Sequence, residues 1–353
     1  MVGTLNERFG RTGASLALTL VFMLLGMIYV RPVWDLNIQG ITYGAMAAHP
    51  FDTGPKAAFP HRVLTPLLSY LIGLRGDNIM ITNLLVAAFF LFFVIRYFNT
   101  PDREPIGALI AGTVFTFSMP TLGTFFNSGY CDSSLYVIIL LMWLSRRRRF
   151  WFYLLFLLGL LNRESMAFLL PWFAYERYRS TDRSARHRVI ELAIGFGVAM
   201  GVYGLFYLWM ASRQEIILSP SYYLGPLTGN WRHWLGQSDH PWLGLFTVFK
   251  LLWAIPILAL VYWWRTRRRS EVISIALLFV CTWLQLLVAY DSSRLFTQGF
   301  LVMIPALDLM LGNNLFQFRR RIGWLLAMSL FVPQWYTAAN AVVVMKPWLE
   351  YLF

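Results

Sequence analysis

Charge is scarce in this chain. Only 13% of its 353 residues are charged, against roughly 25% in soluble proteins, so a water-soluble globular domain is excluded. Cysteine is scarcer still. Cys131 and Cys281 stand alone, which gives neither a disulfide framework nor a metal-ligand spacing. Lysine occurs only at positions 56, 250 and 346, and none of them closes a phosphate-binding loop. No HExxH or CxxC is present. His49, His61, His187, His233 and His240 are scattered without ligand spacing. No cofactor is therefore expected, and a divalent metal is possible but not indicated. Gly195-Phe-Gly197-Val-Ala-Met-Gly201 has the wrong spacing for a dinucleotide fingerprint. Gly197 and Gly201, four apart in an apolar run, read instead as a helix-packing face.

Hydrocarbon fills the space that charge leaves. Hydrophobic residues make up 58% of the chain and aromatics 17%, and apolar runs of about 20 residues recur, the length of a membrane-crossing helix. The expected fold class is all-α, a polytopic transmembrane bundle forming one domain over residues 1–353. The net charge of +13 does not point to nucleic acid. Its basic residues lie in short clusters between apolar runs, as the positive-inside rule requires.

The pattern predicts about nine crossings, near 13–30, 79–97, 105–126, 129–145, 189–212, 242–264, 272–290, 295–313 and 322–342. The first run ends in Val30-Arg31-Pro32 with no small-residue cleavage pattern, so it reads as an uncleaved helix. Two stretches do not fit a crossing. Residues 62–74 are too short, and 150–175 are interrupted by Asn162-Arg163-Glu164-Ser165. Charge placement predicts a surface helix for 62–74, within a first outer loop over 31–78. It predicts a re-entrant hairpin for 150–175. With the N-terminus cytoplasmic, 20 of the 30 basic residues then fall inside. The C-terminus and a second outer loop, 213–241, fall on the periplasmic or extracellular side. That loop carries Tyr222, Tyr223, Trp231 and Trp234, which read as a sugar-stacking surface or as an interfacial aromatic belt.

The outer face collects the residues that can carry chemistry. Asp35, just after the first helix and beside Trp34, reads either as a solvated loop residue or as a general base near the bilayer surface. Arg163 and Glu164 lie within the membrane, where unpaired charge costs roughly 2.5–3.5 kcal/mol. They either pair with each other to close the hairpin or line a polar cavity. Asp291-Ser-Ser-Arg294 is either a capped turn with a snorkelling arginine or a phosphate-binding guanidinium. Arg62 has the same choice between snorkelling and an anionic head group. Asp132 either caps the helix that follows or faces the same cavity.

In order and sidedness these residues resemble the GT-C superfamily, integral-membrane glycosyltransferases that use polyprenyl-phosphate sugars. The likeness rests on Asp35 after the first helix, Tyr43 a few residues later, and Arg62-Val-Leu-Thr-Pro-Leu-Leu68. It rests also on the Arg163-Glu164 pair and the late Asp291-Ser-Ser-Arg294. It covers about half the chain and is strongest with bacterial members. The resemblance implies catalysis on the outer face of a bacterial inner (plasma) membrane. Asp35 would be the base, and Arg62, Arg163 or Arg294 would stabilise the leaving phosphate. Tyr43, Asp52, His61, Asp132, Glu164 and Asp291 would complete the substrate site. The implied partners are the lipid bilayer, a polyprenyl-phosphate-sugar donor and a glycan, lipid or protein acceptor. Many members carry paired acids in the first loop, whereas Asp35 stands alone until Asp52. A transporter or flippase is the leading alternative, but it should place charges at the midplane of two related halves, and no repeat is visible. A polysaccharide polymerase or ligase is a further alternative with overlapping chemistry.

Overall fold

The computed structural model describes residues 2–52, 59–213, 239–287, 291–312, 316–338 and 341–345. The predicted outer loop 213–241, with its tyrosines and tryptophans, lies almost entirely outside the described residues. Sixteen α-helices and a two-stranded hairpin follow in order among them. The first ten are α1 (Val2–Tyr29), α2 (Ile38–Ala48), α3 (Leu64–Leu71), α4 (Ile79–Phe98), α5 (Ile106–Thr116), α6 (Met119–Phe126), α7 (Asp132–Leu144), α8 (Arg149–Asn162), α9 (Leu170–Arg179) and α10 (Ala185–Ala211). Then come α11 (Asp239–Phe249), α12 (Ala254–Arg265), α13 (Arg269–Leu284), α14 (Ser292–Thr297), α15 (Met303–Gly312), α16 (Phe316–Phe331), β1 (Trp335–Ala338) and β2 (Ala341–Val344).

Six helical segments are long and apolar enough to cross a membrane: 2–29, 76–98, 185–211, 241–265, 269–287 and 292–312. A seventh is made if α5 and α6, bent by 42° at Phe117–Ser118, form one span. Three expected crossings are changed. The segment near 129–145 is the 13-residue helix α7, about 20 Å long at 1.5 Å per residue. The segment at 105–126 is broken at Ser118. The segment at 322–342 is not a helix throughout. Its helix stops at Phe331, just before Pro333, and the β-branched run Val342-Val343-Val344 pairs as β2 with β1, Trp335 opposite Val344. Proline lacks the amide a helix needs, and branched side chains favour the extended chain.

The main core is an apolar cluster built mainly on α4, α5, α7, α8, α13 and α15, with Phe90, Phe115 and Phe300 meeting edge to face at 5.1–6.2 Å, and a smaller cluster of Tyr43, Met46, Ala47, Ile79 and Cys131 lies under α2. α1 breaks at Gly10, whose φ of +66° suits glycine, so the apolar span proper begins after it. α10 is the least covered helix. The predicted packing face at Gly197 and Gly201 is open, with nothing within 4 Å of a Cβ at either. The contact made by α10 instead runs through Gly195 against Tyr153 of α8.

The bundle has two polar ends. At one, Asn6 of α1 and Asn99 after α4 exchange hydrogen bonds of 2.9 and 3.0 Å. There too Arg103 pairs with Asp308 at 2.8 Å, Arg177 with Glu191 at 2.6 Å, and Arg179 with Glu271 at 2.8 Å. The clusters expected in the cytoplasm that are described in side-chain detail thus meet at one end. The break at 162–165 behaves as a hairpin tip. Arg163 is extended (φ −164°, ψ 125°). Beyond it the chain returns until Arg177 and Ser180 both donate to the Arg146 carbonyl, at 2.6 and 3.0 Å, beside the start of α8. The 20 residues of α4, about 30 Å of rise, separate this basic end from the other, where the tip lies.

Candidate functional site

The first expected loop is more ordered than its sequence suggests. Asn37 caps α2, its side chain accepting from the Gly40 amide, as short polar residues do at helix starts. Its amide also donates to Asn127 Oδ1 at 2.9 Å. α2 lies backbone to backbone on the turn before α7. A Cβ on Gly129 would come within 2.9 Å of Gly40 Cα, so side chains are excluded from that contact. This approach carries Gln39 and Tyr43 over the start of α7 and the hairpin tip. α3 follows as an eight-residue helix, too short to cross, as expected.

Six charged groups from four distant segments converge here. Arg62 sends Nε to Glu164 Oε2 at 2.7 Å and Nη2 to Glu164 Oε1, a two-pronged pair, and Nη1 to the Tyr43 hydroxyl at 3.0 Å. Phe59 lies 4.0 Å beneath its guanidinium. His61 Nε2 stands 3.4 Å from Glu164 Oε2. The neighbouring Arg163 bonds Asp132 Oδ1. Asp132 Oδ2 accepts from Arg294 Nε at 2.7 Å. Arg294 Nη1 reaches Asp291 at 2.6 Å, both terminal nitrogens reach Gln39 Oε1 at 3.4 Å, and the guanidinium sits 4.3 Å over Tyr130.

Several alternatives are settled by this geometry. Arg163 and Glu164 do not pair with each other; they reach opposite ways and join the two halves of one network. Asp132 starts α7 without a capping bond, because both its oxygens are held by arginines. Asp291 likewise makes no cap bond. Arg62 and Arg294 do not snorkel, since each is under 10% exposed. Burial would lower the charge affinity of the Arg62 guanidinium, but Glu164 and Tyr43 reverse this and hold its pKa well above the ordinary value. Burial pushes the Tyr43 phenol up, against the pull of Arg62, so it stays a neutral hydroxyl.

The supporting hydrogen bonds explain why the hairpin breaks at Asn162. Its side chain donates to the Cys131 carbonyl at 2.9 Å and accepts from Thr65 at 2.5 Å, pinning α8 to α3 and α7. On the far side Thr337 of β1 shares a 2.7 Å hydrogen bond with Ser292, and Thr337 N donates to Ser293 Oγ at 3.2 Å. The terminal hairpin thus fixes the turn that carries Asp291 and Arg294.

Three arginines (Arg62, Arg163, Arg294) face three carboxylates (Asp132, Glu164, Asp291), so the formal charge of the network is zero. A cavity of about 10 Å³ remains beside Asp132, Arg294, Tyr130 and Tyr136. It is also lined by Asn127, whose Nδ2 is buried with no partner among the described residues.

Asp35 stands outside this network. It is exposed, and among the described residues no hydrogen bond or ion pair reaches its carboxylate. With Trp34 it forms one wall of a 520 Å³ groove whose other wall is Phe126, Val343 and Val344. It is still close to the network, since Asn37 bonds Asn127 and two residues of chain span at most about 7 Å. Asp52 is exposed and takes no place among the six groups. A cleft of 630 Å³ lies at the opposite, basic end beside Arg103 and Asp308. Gln39, Asn127, Tyr130 and Tyr136 were not legible as site residues. The signal that could have placed Gln39 is Asn37 as a helix cap, which puts Gln39 and Tyr43, four apart, on one face.

By the length and apolarity of its helices, the chain is a multi-pass helical membrane protein. No family model, no curated protein and no solved structure matches it. Among the described residues no cluster of three metal-ligating side chains occurs.

Proposed function

We propose that this chain transfers a sugar from a polyprenyl-phosphate donor to an envelope acceptor on the outer face of a bacterial plasma membrane. On this reading the basic end faces the cytoplasm, the 150–175 hairpin is re-entrant, and the short helices α7 and α16 complete the count of crossings. The observation that carries the proposal is the contrast among carboxylates at one end of the bundle. Asp132, Glu164 and Asp291 are each held by arginine. Asp35 is exposed, free of such a partner among the described residues, and set on a groove with a tryptophan beside it.

A carboxylate without a counter-ion is the one suited to take a proton. Asp35 accepts it from the acceptor hydroxyl as that oxygen bonds to the anomeric carbon. The bond from that carbon to phosphate oxygen breaks, and polyprenyl phosphate leaves with the electron pair. A single displacement inverts the anomeric centre. The arginines supply the charge that stabilises the leaving phosphate. Because their charge is matched, the donor must displace a carboxylate from one of them. Glu164 and Asp291, with side chains 32% and 23% exposed, are the accessible ones; Asp132 stays behind as the inner support.

The test is Asp35→Asn in the full chain, inserted in membranes and supplied with lipid-linked sugar. Loss of transfer by about 10²–10⁴-fold, the usual contribution of a general base, is expected. Full activity would remove Asp35 from the mechanism. The flippase alternative draws on the burial of ionised side chains in an apolar bundle, a feature of transport pathways. Translocation of labelled lipid-linked sugar without transfer to any acceptor would decide for it.

A further inference from the structure

A second site is built at the opposite end, and it is independent of the sugar-transfer reading. Two clefts of about 440 Å³ each meet at Trp263. One is polar, lined by Arg146, Arg179 and Arg268 with Glu271 and Asp308. The other is apolar, walled by Trp264, Val272 and Ile273, with Arg267 and Arg269 at its mouth. Five arginines against two carboxylates leave a formal charge of +3.

The arginines differ in how far they are committed. Arg179 is bound to Glu176 and Glu271, at 2.9 and 2.8 Å. Arg146 lies 4.3 Å over Trp143 and donates to its carbonyl, while its Nε is 3.9 Å from Glu176. The Arg268 side chain is exposed and makes no ion pair or hydrogen bond among the described residues. It is held at the site by its backbone. Arg267 takes the left-handed conformation, φ +56°, where glycine is usual, and Arg268 N bonds back to the Trp263 carbonyl at 2.9 Å. That bond is the six-to-one closure of a helix C-terminus.

We propose that these paired clefts bind an anionic phospholipid, with its phosphodiester on Arg146 and Arg268 and an acyl chain along the apolar cleft. The charge is complementary to a phosphate, guanidinium geometry suits its oxygens, and basic recesses between membrane helices hold such head groups. The apolar half distinguishes a lipid from a free anion. Trp264 is 73% exposed and Ile273 49%, so this wall faces hydrocarbon.

The test is native mass spectrometry of the full chain in mild detergent with equal phosphatidylglycerol and phosphatidylcholine. Preferential retention of the anionic lipid is expected. Arg268→Gln should reduce it about fivefold, from roughly 1 kcal/mol per surface basic residue. Arg267→Gly keeps the turn, relieving the left-handed arginine, and should also weaken retention while leaving thermal stability at or above wild type. Arg186→Gln, an exposed arginine outside the clefts, should leave retention unchanged. Equal retention of the two lipids would overturn the proposal, as would an equal loss in Arg186→Gln. So would displacement of the lipid by low-millimolar inorganic phosphate, which would mark a free-phosphate site.

Discussion

Asp132 and Arg294 lie 162 positions apart and share a buried 2.7 Å bond from Arg294 Nε to Asp132 Oδ2. Arg163 binds the same carboxylate through its other oxygen. The start of α7, the hairpin tip and the start of α14 are thus held by one side chain, and removing it leaves the buried Arg163 without its counter-charge and Arg294 with Asp291 alone.

Asp132→Asn should therefore destabilise the protein by about 3–5 kcal/mol, the cost of breaking a buried pair from one side. Unfolding in mixed micelles would measure it. A neutral change would mean that the arginines find other partners and that Asp132 does not hold the site together.

Glu164→Gln should cost less, about 1.5–3 kcal/mol by loss of charge-assisted hydrogen bonds, because its side chain is 32% exposed. If the donor phosphate replaces this carboxylate on Arg62, the variant should bind an anionic donor analogue more tightly than wild type. Weaker binding would assign Glu164 to the acceptor or to the sugar instead.

Gly129→Ala should cost about 1–3 kcal/mol, the range for overpacking. The added methyl meets Gly40 Cα at 2.9 Å and Leu36 Cδ2 at 2.6 Å. The first neighbour is backbone and cannot rotate away, so α2 must lift from the bundle, carrying Gln39 and Tyr43 with it. Transfer activity should fall along with stability. By contrast Gly197→Ala, with open space around it, should be neutral or slightly stabilising through helix propensity.

Arg177→Met should loosen the hairpin at its base. Arg177 donates to Glu191 Oε1 through Nε at 2.9 Å and Nη2 at 2.6 Å, and to the Arg146 carbonyl at 2.6 Å. Glu191 would be left buried without its counter-ion, costing about 3–5 kcal/mol. Increased protease cleavage between residues 145 and 185 would report the opening.

Much of the bundle was legible because hydrophobic length and charge placement are local signals. The runs at 13–30, 79–97 and 189–212 needed only length. For 150–175 the sequence predicted a re-entrant hairpin; the break after Asn162 and the bond from Arg177 to the Arg146 carbonyl are seen, and re-entry belongs to the proposed function. The terminal strands were not legible, since Ala341-Val342-Val343-Val344 would be as apolar in a crossing helix. Pairing with Trp335–Ala338 decides the form. α2 was missed because its eleven residues are too few to cross a membrane, the length by which the other helices were found.

Sequence alone determined that this chain is a membrane bundle, and it predicted that its basic clusters share one end while Arg62, Asp132, Arg163, Glu164, Asp291 and Arg294 occupy the other. These follow from transfer energies, which each segment meets by itself. The tertiary structure decided who pairs with whom. Arg163 turns to Asp132, Glu164 to Arg62, and Asp35 is left outside on its groove. Those choices depend on distances between segments far apart in the chain, fixed by the packing of α2, α7, the hairpin tip and α14, and carried by no local pattern.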